Sequence, residues 1–353
     1  MGARPAILLI GQGAGLRHCA GLLARHESLR LAGLVATGGP AAVEGFARQA
    51  DGAIIGDCAD RPAVIAAAAA KGWPLLLAPP LPTSLEEADI EIAAAAGVPV
   101  LIGLERRHHA AVGAARSLIA SGAVGTLTAI QAQWALRQPR SLFTDERRLV
   151  ARGGPAFSAL VEEIDLLRTL GGEIVEMTAL SSAHARRGPV EDGFAVCGRF
   201  AGGGLFTLLA SDAALTPWGW DAATGETPGV AATGHDCWQI SGTEGALGFP
   251  SLRLWRFEGD GQADCARALS AIDLGARGET PAARQLAHFA DMLETGATPA
   301  VGFAEARASL AAALQARGAA AAALRDAAAP GNDSGDAGDG PRGSGSAPRR
   351  VPT

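Results

Sequence analysis

Ala6-Ile7-Leu8-Leu9-Ile10, then Gly11-Gln12-Gly13-Ala14-Gly15-Leu16, then a helical run through Leu23, open the chain. An apolar strand that breaks into closely spaced glycines and then a helix brings backbone N–H groups and a helix N-terminus up to a pyrophosphate. A dinucleotide is therefore the first ligand to expect, held by Gly11, Gly13, Ala14, Gly15 and Leu16. The fingerprint G-x-G-x-x-G is incomplete, because its third glycine, which lets helix and strand pack closely, is Leu16 here. A tight turn between strand and helix that binds nothing has the same beginning.

Working outward, Leu31 to Ala36 reads as a second strand and Pro40 to Ala50 as a helix with Val43, Phe46 and Ala47 on one face. An Asp or Glu ending that second strand ordinarily holds the adenine ribose. Here Ala36 is followed by Thr37-Gly38-Gly39, so charge favours neither NAD nor NADP, and Thr37 is the polar side chain left for that place. Strands at 53–55, 75–77 and 98–102 alternate with helices at 62–70 and 85–96, which predicts a parallel sheet with helices on both faces. Thr83 or Ser84 with Glu86 and Glu87 supplies a hydroxyl cap and carboxylates at the start of the second of these helices.

From 126 onward the pattern changes to α+β. The segments 126–134, 174–180, 194–200, 204–210, 238–241 and 252–257 alternate or are rich in β-formers, as strands of one antiparallel sheet should. Helices at about 156–170 and 282–294 are expected to cover one face of it. The fold class is thus an α/β N-terminal Rossmann-like domain (1–124) and an α+β C-terminal domain with a large, mostly antiparallel open sheet (125–328). Beyond Pro330, Gly, Asp, Ser and Pro predominate, so 329–353 reads as a disordered tail.

Composition narrows the function. With 48% hydrophobic and 19% charged residues the chain is an ordinary core-forming one. A net charge of -6 with scattered arginines excludes the basic stripe that nucleic-acid binding needs. Five widely spaced cysteines without C-x-x-C point to neither a disulfide framework nor a zinc site, and no His/Asp/Glu cluster has metal-ligand spacing. The only apolar run at the N-terminus has five residues, too short for a signal or a membrane span, so a cytoplasmic protein is expected. Tyrosine is absent and Lys71 is the only lysine, which removes two common proton donors in hydride transfer.

Several stretches resemble the glucose-fructose oxidoreductase, inositol dehydrogenase and rhizopine-catabolism family, Gfo/Idh/MocA. They are Leu81-Pro-Thr-Ser-Leu-Glu-Glu-Ala88, Gly97 to Gly103, Arg106-Arg107, Ala115 to Gly125, Gly153-Gly154 leading to Ile164-Asp165-Leu166-Leu167-Arg168, Ser241 to Leu247, and Phe289 to Gly296 with Pro299 and Glu305-Ala306-Arg307. The match runs in consistent order over about residues 5–325. It implies NAD or NADP as cofactor, a sugar, polyol or other small hydroxy or oxo compound as substrate, and a homo-oligomer formed through the C-terminal sheet. The first domain is about one strand–helix unit short of the family's between Ala36 and Ala53.

The resemblance also shows what is missing. The family's Glu-Lys-Pro, whose lysine polarises the substrate oxygen, corresponds to Ala78-Pro79-Pro80, which leaves Pro79 and Pro80 as lining beside the cofactor. Its Asp and His, four residues apart on one face of the central helix, correspond to Ser158 and Glu162. Groups able to act instead are Glu162, Glu163, Asp165, His108, His109, His184 and His235. Glu162 is either an acid or base in an apolar cleft or a helix-face carboxylate pairing an arginine. Asp165 is either catalytic or structural, and His109 either a proton relay or a helix-start residue. The Gly/Thr-rich segment from Pro217-Trp218-Gly219-Trp220 to His235-Asp236 either walls the cleft or anchors a loop or subunit contact. Two functions remain open: an NAD(P)-dependent oxidoreductase with non-standard catalytic residues, and a catalytically silent family member acting as a binding or regulatory subunit.

Overall fold

The computed structural model describes residues 4–328 except 38, 228, 259–265 and 276–277. The tail expected at 329–353 lies outside the described residues. The first domain runs β1 (Ala6–Ile10), α1 (Ala14–Leu23), β2 (Arg30–Val35), α2 (Pro40–Gly45), β3 (Gly52–Ile55), α3 (Arg61–Ala70), β4 (Leu75–Leu77), α4 (Leu85–Ala94) and β5 (Val100–Ile102). All five strands are parallel, in the order β2-β1-β3-β4-β5. β1, β3, β4 and β5 are buried throughout, which is why they read as unbroken apolar runs. The order reverses between β1 and β3, so their carboxyl ends border a crevice of the kind in which open α/β sheets hold ligands.

A 3-10 turn at Glu105–His108 and α5 (Ala110–Ala120) lead into the second domain. It comprises β6 (Leu127–Ala135), α6 (Glu146–Arg152), α7 (Gly154–Gly171), β7 (Ile174–Ser182), β8 (Gly193–Phe200), β9 (Leu205–Ser211), α8 (Trp220–Thr224), β10 (Trp238–Gly242), β11 (Ala246–Phe249), β12 (Arg253–Phe257) and β13 (Leu269–Asp273). The eight strands order as β13-β12-β11-β10-β6-β9-β8-β7 and are antiparallel except for β6 beside β9. β11 and β13 were not distinguished in the sequence, being four and five residues long.

One face of this sheet is core. Ile130, Phe194, Val196, Phe206, Leu208 and Trp238 pack there against Phe157, Leu160 and Ile164 of α7. The closing helices α9 (Pro281–Thr295) and α10 (Phe303–Ala328) divide their work. α10 packs Leu310, Ala313 and Ala316 into the same core. α9 does not cover the antiparallel sheet as its position in sequence suggests. Its Leu286, Phe289, Ala290 and Met292 enter the core of the first domain, and Ile102 donates a backbone bond to Val301 just beyond it. The reason is its apolar stripe at helical spacing, which matches the uncovered flank of β1 and β3, where Leu293 lies against Gly52.

Candidate functional site

The β1–α1 turn depends on two glycines. Gly11 has φ +125°, and a Cβ there would sit 2.8 Å from the Asp57 carbonyl oxygen. Gly13, at φ +110°, is the N-cap of α1 and nothing lies within 4 Å of where its Cβ would be. Ala14 and Gly15 are exposed beside it, so the first turn of α1 offers unpaired N–H groups to open space at the crevice. Leu16 is buried and its methyl faces Gly56 at the end of β3, filling the room a third glycine would leave. Thr37 is exposed beyond β2. These residues fit the phosphates of a dinucleotide through backbone alone, with a leucine spacer under the helix.

The second domain reaches the same crevice. Arg152, two residues ahead of α7, donates to Asp57 at 2.8 Å, and Thr83 bonds the Ala151 carbonyl. Pro79 is exposed just past β4 with its ring against Gly103, and the Pro80 carbonyl accepts from Arg61. Ser84 caps α4 by accepting from the Glu87 amide, while Glu87 accepts from the Thr83 amide in return. On α7, Ser158 is exposed and Glu162 half-buried, one turn apart on one face.

Arg106 and Arg107, one beyond the other in the 3-10 turn, organise everything behind that face. Arg106 pairs Glu162 at 2.8 Å and Glu163 at 2.5 Å, and its guanidinium lies 5.2 Å from the Trp220 ring centroid. Glu163 is fully buried and accepts from the Trp238 indole at 2.9 Å. Arg107 grips Asp165 with two bonds of 2.7 and 2.6 Å, and Ser309 of α10 donates to the same carboxylate. Asp165 is 1% exposed with both oxygens engaged. Burial pushes the Glu162 and Glu163 carboxyls up, the latter to about 7, while Arg106 opposes both.

His109 is the N-cap of α5, its Nδ1 accepting from the Ala111 amide at 3.0 Å. Its ring stands edge-on to Trp220, with centroids 5.0 Å apart, and Nε2 faces Glu226 at 3.5 Å. Burial, helped by Arg284 on α9, lowers it to about 4. His108 is likewise lowered by burial and lies beside His288. His184 and His235 are exposed. The segment from 217 to 236 is strapped down: Asp221 of α8 accepts from the Trp134 indole and from Thr227, and Thr233 bonds the Pro217 and Ala222 carbonyls. Its two tryptophans part company, Trp220 being buried at the site and Trp218 lying 48% exposed over the open sheet.

Sequence reasoning thus marked Glu162, Asp165 and His109, which lie around one arginine-centred cluster, but not Arg106, Arg152, Asp57 or Glu226. Two adjacent arginines directly beyond the carboxyl end of β5 were a signal for the first of these. Among the described residues no group of three His, Cys, Asp or Glu side chains could hold a metal ion, and no helix is long and apolar enough to cross a membrane.

Comparison with known proteins agrees with this architecture. Residues 112–248 match the model of the GFO/IDH/MocA C-terminal domain, bearing out the resemblance over the central helix and most of the large sheet. An oxidoreductase from Agrobacterium radiobacter, solved with NAD+, L-tartaric acid and magnesium, superposes with a TM-score of 0.71 at 16% identity, covering 90% of this chain and 97% of its own. Aldose-aldose oxidoreductase from Caulobacter crescentus, solved with glycerol, gives 0.68 at 18%, with 91% and 98% covered. Levoglucosan dehydrogenase in complex with NADH gives 0.69 at 16%, with 91% and 98% covered. By sequence, no curated protein matches the chain. At these identities the likeness is one of fold.

Proposed function

We propose that this chain is a nicotinamide-dependent oxidoreductase of Gfo/Idh/MocA type. Its substrate is a small hydroxy or oxo compound, of the sugar, polyol or hydroxy-acid kind, and carboxyl groups handle the proton in place of lysine, aspartate and histidine. The observation that carries this is the open glycine cradle at the switch point, with Arg152 bringing the Ser158–Glu162 face of α7 beside it. In this reading Gly11, Gly13, Ala14, Gly15 and Leu16 hold the phosphates of NAD or NADP, Thr37 meets the adenosine ribose, and Pro79 and Pro80 line the nicotinamide side. A nicotinamide held there would supply or take the hydride. Glu162, held by Arg106 in a 2.8 Å pair, accepts the hydrogen bond of a substrate hydroxyl and orients it. Asp165, gripped by Arg107 and Ser309, is a positioning residue that fixes α7 against the 3-10 turn.

The test is binding of NADH or NADPH, followed by nicotinamide fluorescence, and then turnover of polyols, aldoses and hydroxy acids by Glu162→Gln. Retained cofactor binding with turnover reduced at least about a hundredfold is expected. Absence of any nicotinamide binding would overturn the reading in favour of a catalytically silent binding subunit.

Self-association belongs to the uncovered face of the eight-stranded sheet. Alternation along β7 and β9 leaves Leu180, Leu205 and Leu209 exposed there, around a depression of about 880 Å³ also lined by Thr178, Cys197 and Trp218. A second copy presenting the same face would bury this field, which is larger than isolated surface leucines make. Light scattering on the full chain should give an even copy number, and Leu180→Glu with Leu209→Glu should yield monomers; monomers before substitution would remove the assignment. The described cysteines, Cys19, Cys58, Cys197 and Cys237, are all free, in keeping with a reducing, cytoplasmic setting.

A further inference from the structure

The glycine turn after β1 brings only backbone N–H groups to a pyrophosphate, and a charge to match it stands on the second domain. Gln12, between the two glycines of the turn, forms an isolated β-bridge with Asp57, and its amide donates to the Asp57 carbonyl at 2.8 Å. Residues bridged in this way stand about 5 Å apart at Cα, so the Asp57 side chain borders the cradle. Arg152 reaches that carboxylate from the end of α6, its Nη2 lying 2.8 Å from Oδ1. Directly behind it two successive left-handed glycines, Gly153 at φ +73° and Gly154 at φ +77°, turn the chain from α6 into α7. A Cβ at the first would lie 2.7 Å from the Phe157 ring and at the second 2.8 Å from Val190, so packing fixes this turn. Buried Leu149 and the bond from Thr83 to the Ala151 carbonyl hold α6 on its other side.

We propose that Arg152 is a cation of the dinucleotide's phosphate site, supplied by the second domain and shared between Asp57 and the pyrophosphate once the cofactor is bound. Among the described residues its guanidinium makes one hydrogen bond, through Nη2, and 42% of its side chain is exposed. A guanidinium carries five donors in a planar fork, so an end-on pair with one carboxylate oxygen leaves donors for phosphate oxygens. Arg61, the first residue of α3, is already engaged: its side chain is 10% exposed, Nη1 donates to the Pro80 carbonyl and Nε lies 3.2 Å from Glu91. Without Arg152 the Asp57 carboxylate would stand beside the phosphates as an unbalanced like charge. Paired, the two are neutral, and the half-exposed fork has room to turn towards an anion in the cradle.

The identity of the ligand rests on the oxidoreductase reading; the anion site does not. The phosphate site becomes a joint one, with the cradle built from β1, α1 and the end of β3 and the counter-charge from α6. A bound pyrophosphate then holds α6 to the first domain, and with it the Ser158–Glu162 face of α7 beyond the two glycines. Loading of the dinucleotide is thereby coupled to assembly of the substrate cleft.

Fluorescence titration of the full chain with NADH tests it, with ADP and adenosine as competitors. Arg152→Gln should raise the Kd of NADH and of ADP by about 10- to 100-fold, as loss of a charged hydrogen bond does. Adenosine, which carries no phosphate, should bind as to wild type, and Arg152→Lys should recover part of the loss. An equal loss for adenosine, or none for NADH, overturns the proposal. Asp57→Asn breaks the same ion pair yet keeps an acceptor for Nη2 and the backbone bond to Gln12, and it should tighten NADH binding by removing a like charge. Binding no tighter than wild type there would make Arg152 a staple between domains and overturn the proposal as well. Failure of wild type to bind NADH or NADPH sinks the oxidoreductase reading, and inorganic pyrophosphate then decides on the anion site alone. It should raise the melting temperature of wild type and not that of Arg152→Gln; no rise in wild type, or the same rise in both, overturns the proposal.

Discussion

Asp165→Ala is expected to remove about 3–5 kcal/mol of folding stability, the usual consequence of breaking a buried ion pair by deleting one partner. The carboxylate is 1% exposed and takes two bonds from Arg107 and one from Ser309, so its loss leaves Arg107 only the half-exposed Glu305 at 3.5 Å and deprives the Ser309 hydroxyl of its acceptor at the junction of α7, α10 and the 3-10 turn. Urea unfolding of wild type and variant measures it. Asp165→Asn, which keeps shape and one acceptor, should fall between them, and the folded fraction of either variant should still bind cofactor. A variant with native stability and no turnover would give Asp165 a reacting part and remove the positioning one.

Arg106→Leu should be as costly at neutral pH and should carry a pH signature. Glu163 is fully buried and would retain the Trp238 indole but no cation. Its folded-state pKa is already raised by burial to about 7 against an ordinary 4.5, and losing Arg106, which opposes that shift, raises it further. A carboxyl whose folded pKa lies above its unfolded one contributes stability that is full below the unfolded value and is lost as pH rises through the folded value. The deficit of Arg106→Leu relative to wild type should therefore be largest near pH 8 and shrink towards pH 5. Melting temperatures across that range read it directly, and a deficit independent of pH would show that Glu163 is not what Arg106 neutralises. Turnover should fall with it, since Glu162 loses its 2.8 Å partner.

The two-domain architecture was legible because its signals are local. β1 was readable to the residue, since five successive apolar residues followed by Gly11 admit one interpretation, and β6, β8 and β9 carried plain alternation. The destination of α9 was not legible, because an apolar stripe states that a helix is covered and not by what. In the site, Glu162 was reachable from its spacing to Ile164-Asp165. Glu226 was not, as it follows five residues of short helix in a segment without periodicity, and only the bonds of Asp221, Thr227 and Thr233 bring it to His109. The ambiguity of Asp165 came from the same limit: sequence shows a carboxylate on a helix but not Arg107 waiting 58 positions away.

The return of α9 to the first domain also governs how the protein is made. β1 to β5 leave the ribosome early, yet the side chains that close one flank of their core, Leu286, Phe289 and Met292, and the Val301 carbonyl that satisfies the Ile102 amide, emerge only after the entire second sheet. During synthesis the nascent parallel sheet therefore waits with an apolar flank open, a state that invites chaperone binding and aggregation. Contacts of such long sequence separation are also slow to form. Domain-by-domain assembly is closed to this chain: its first domain is completed only after the strands of the second have been translated.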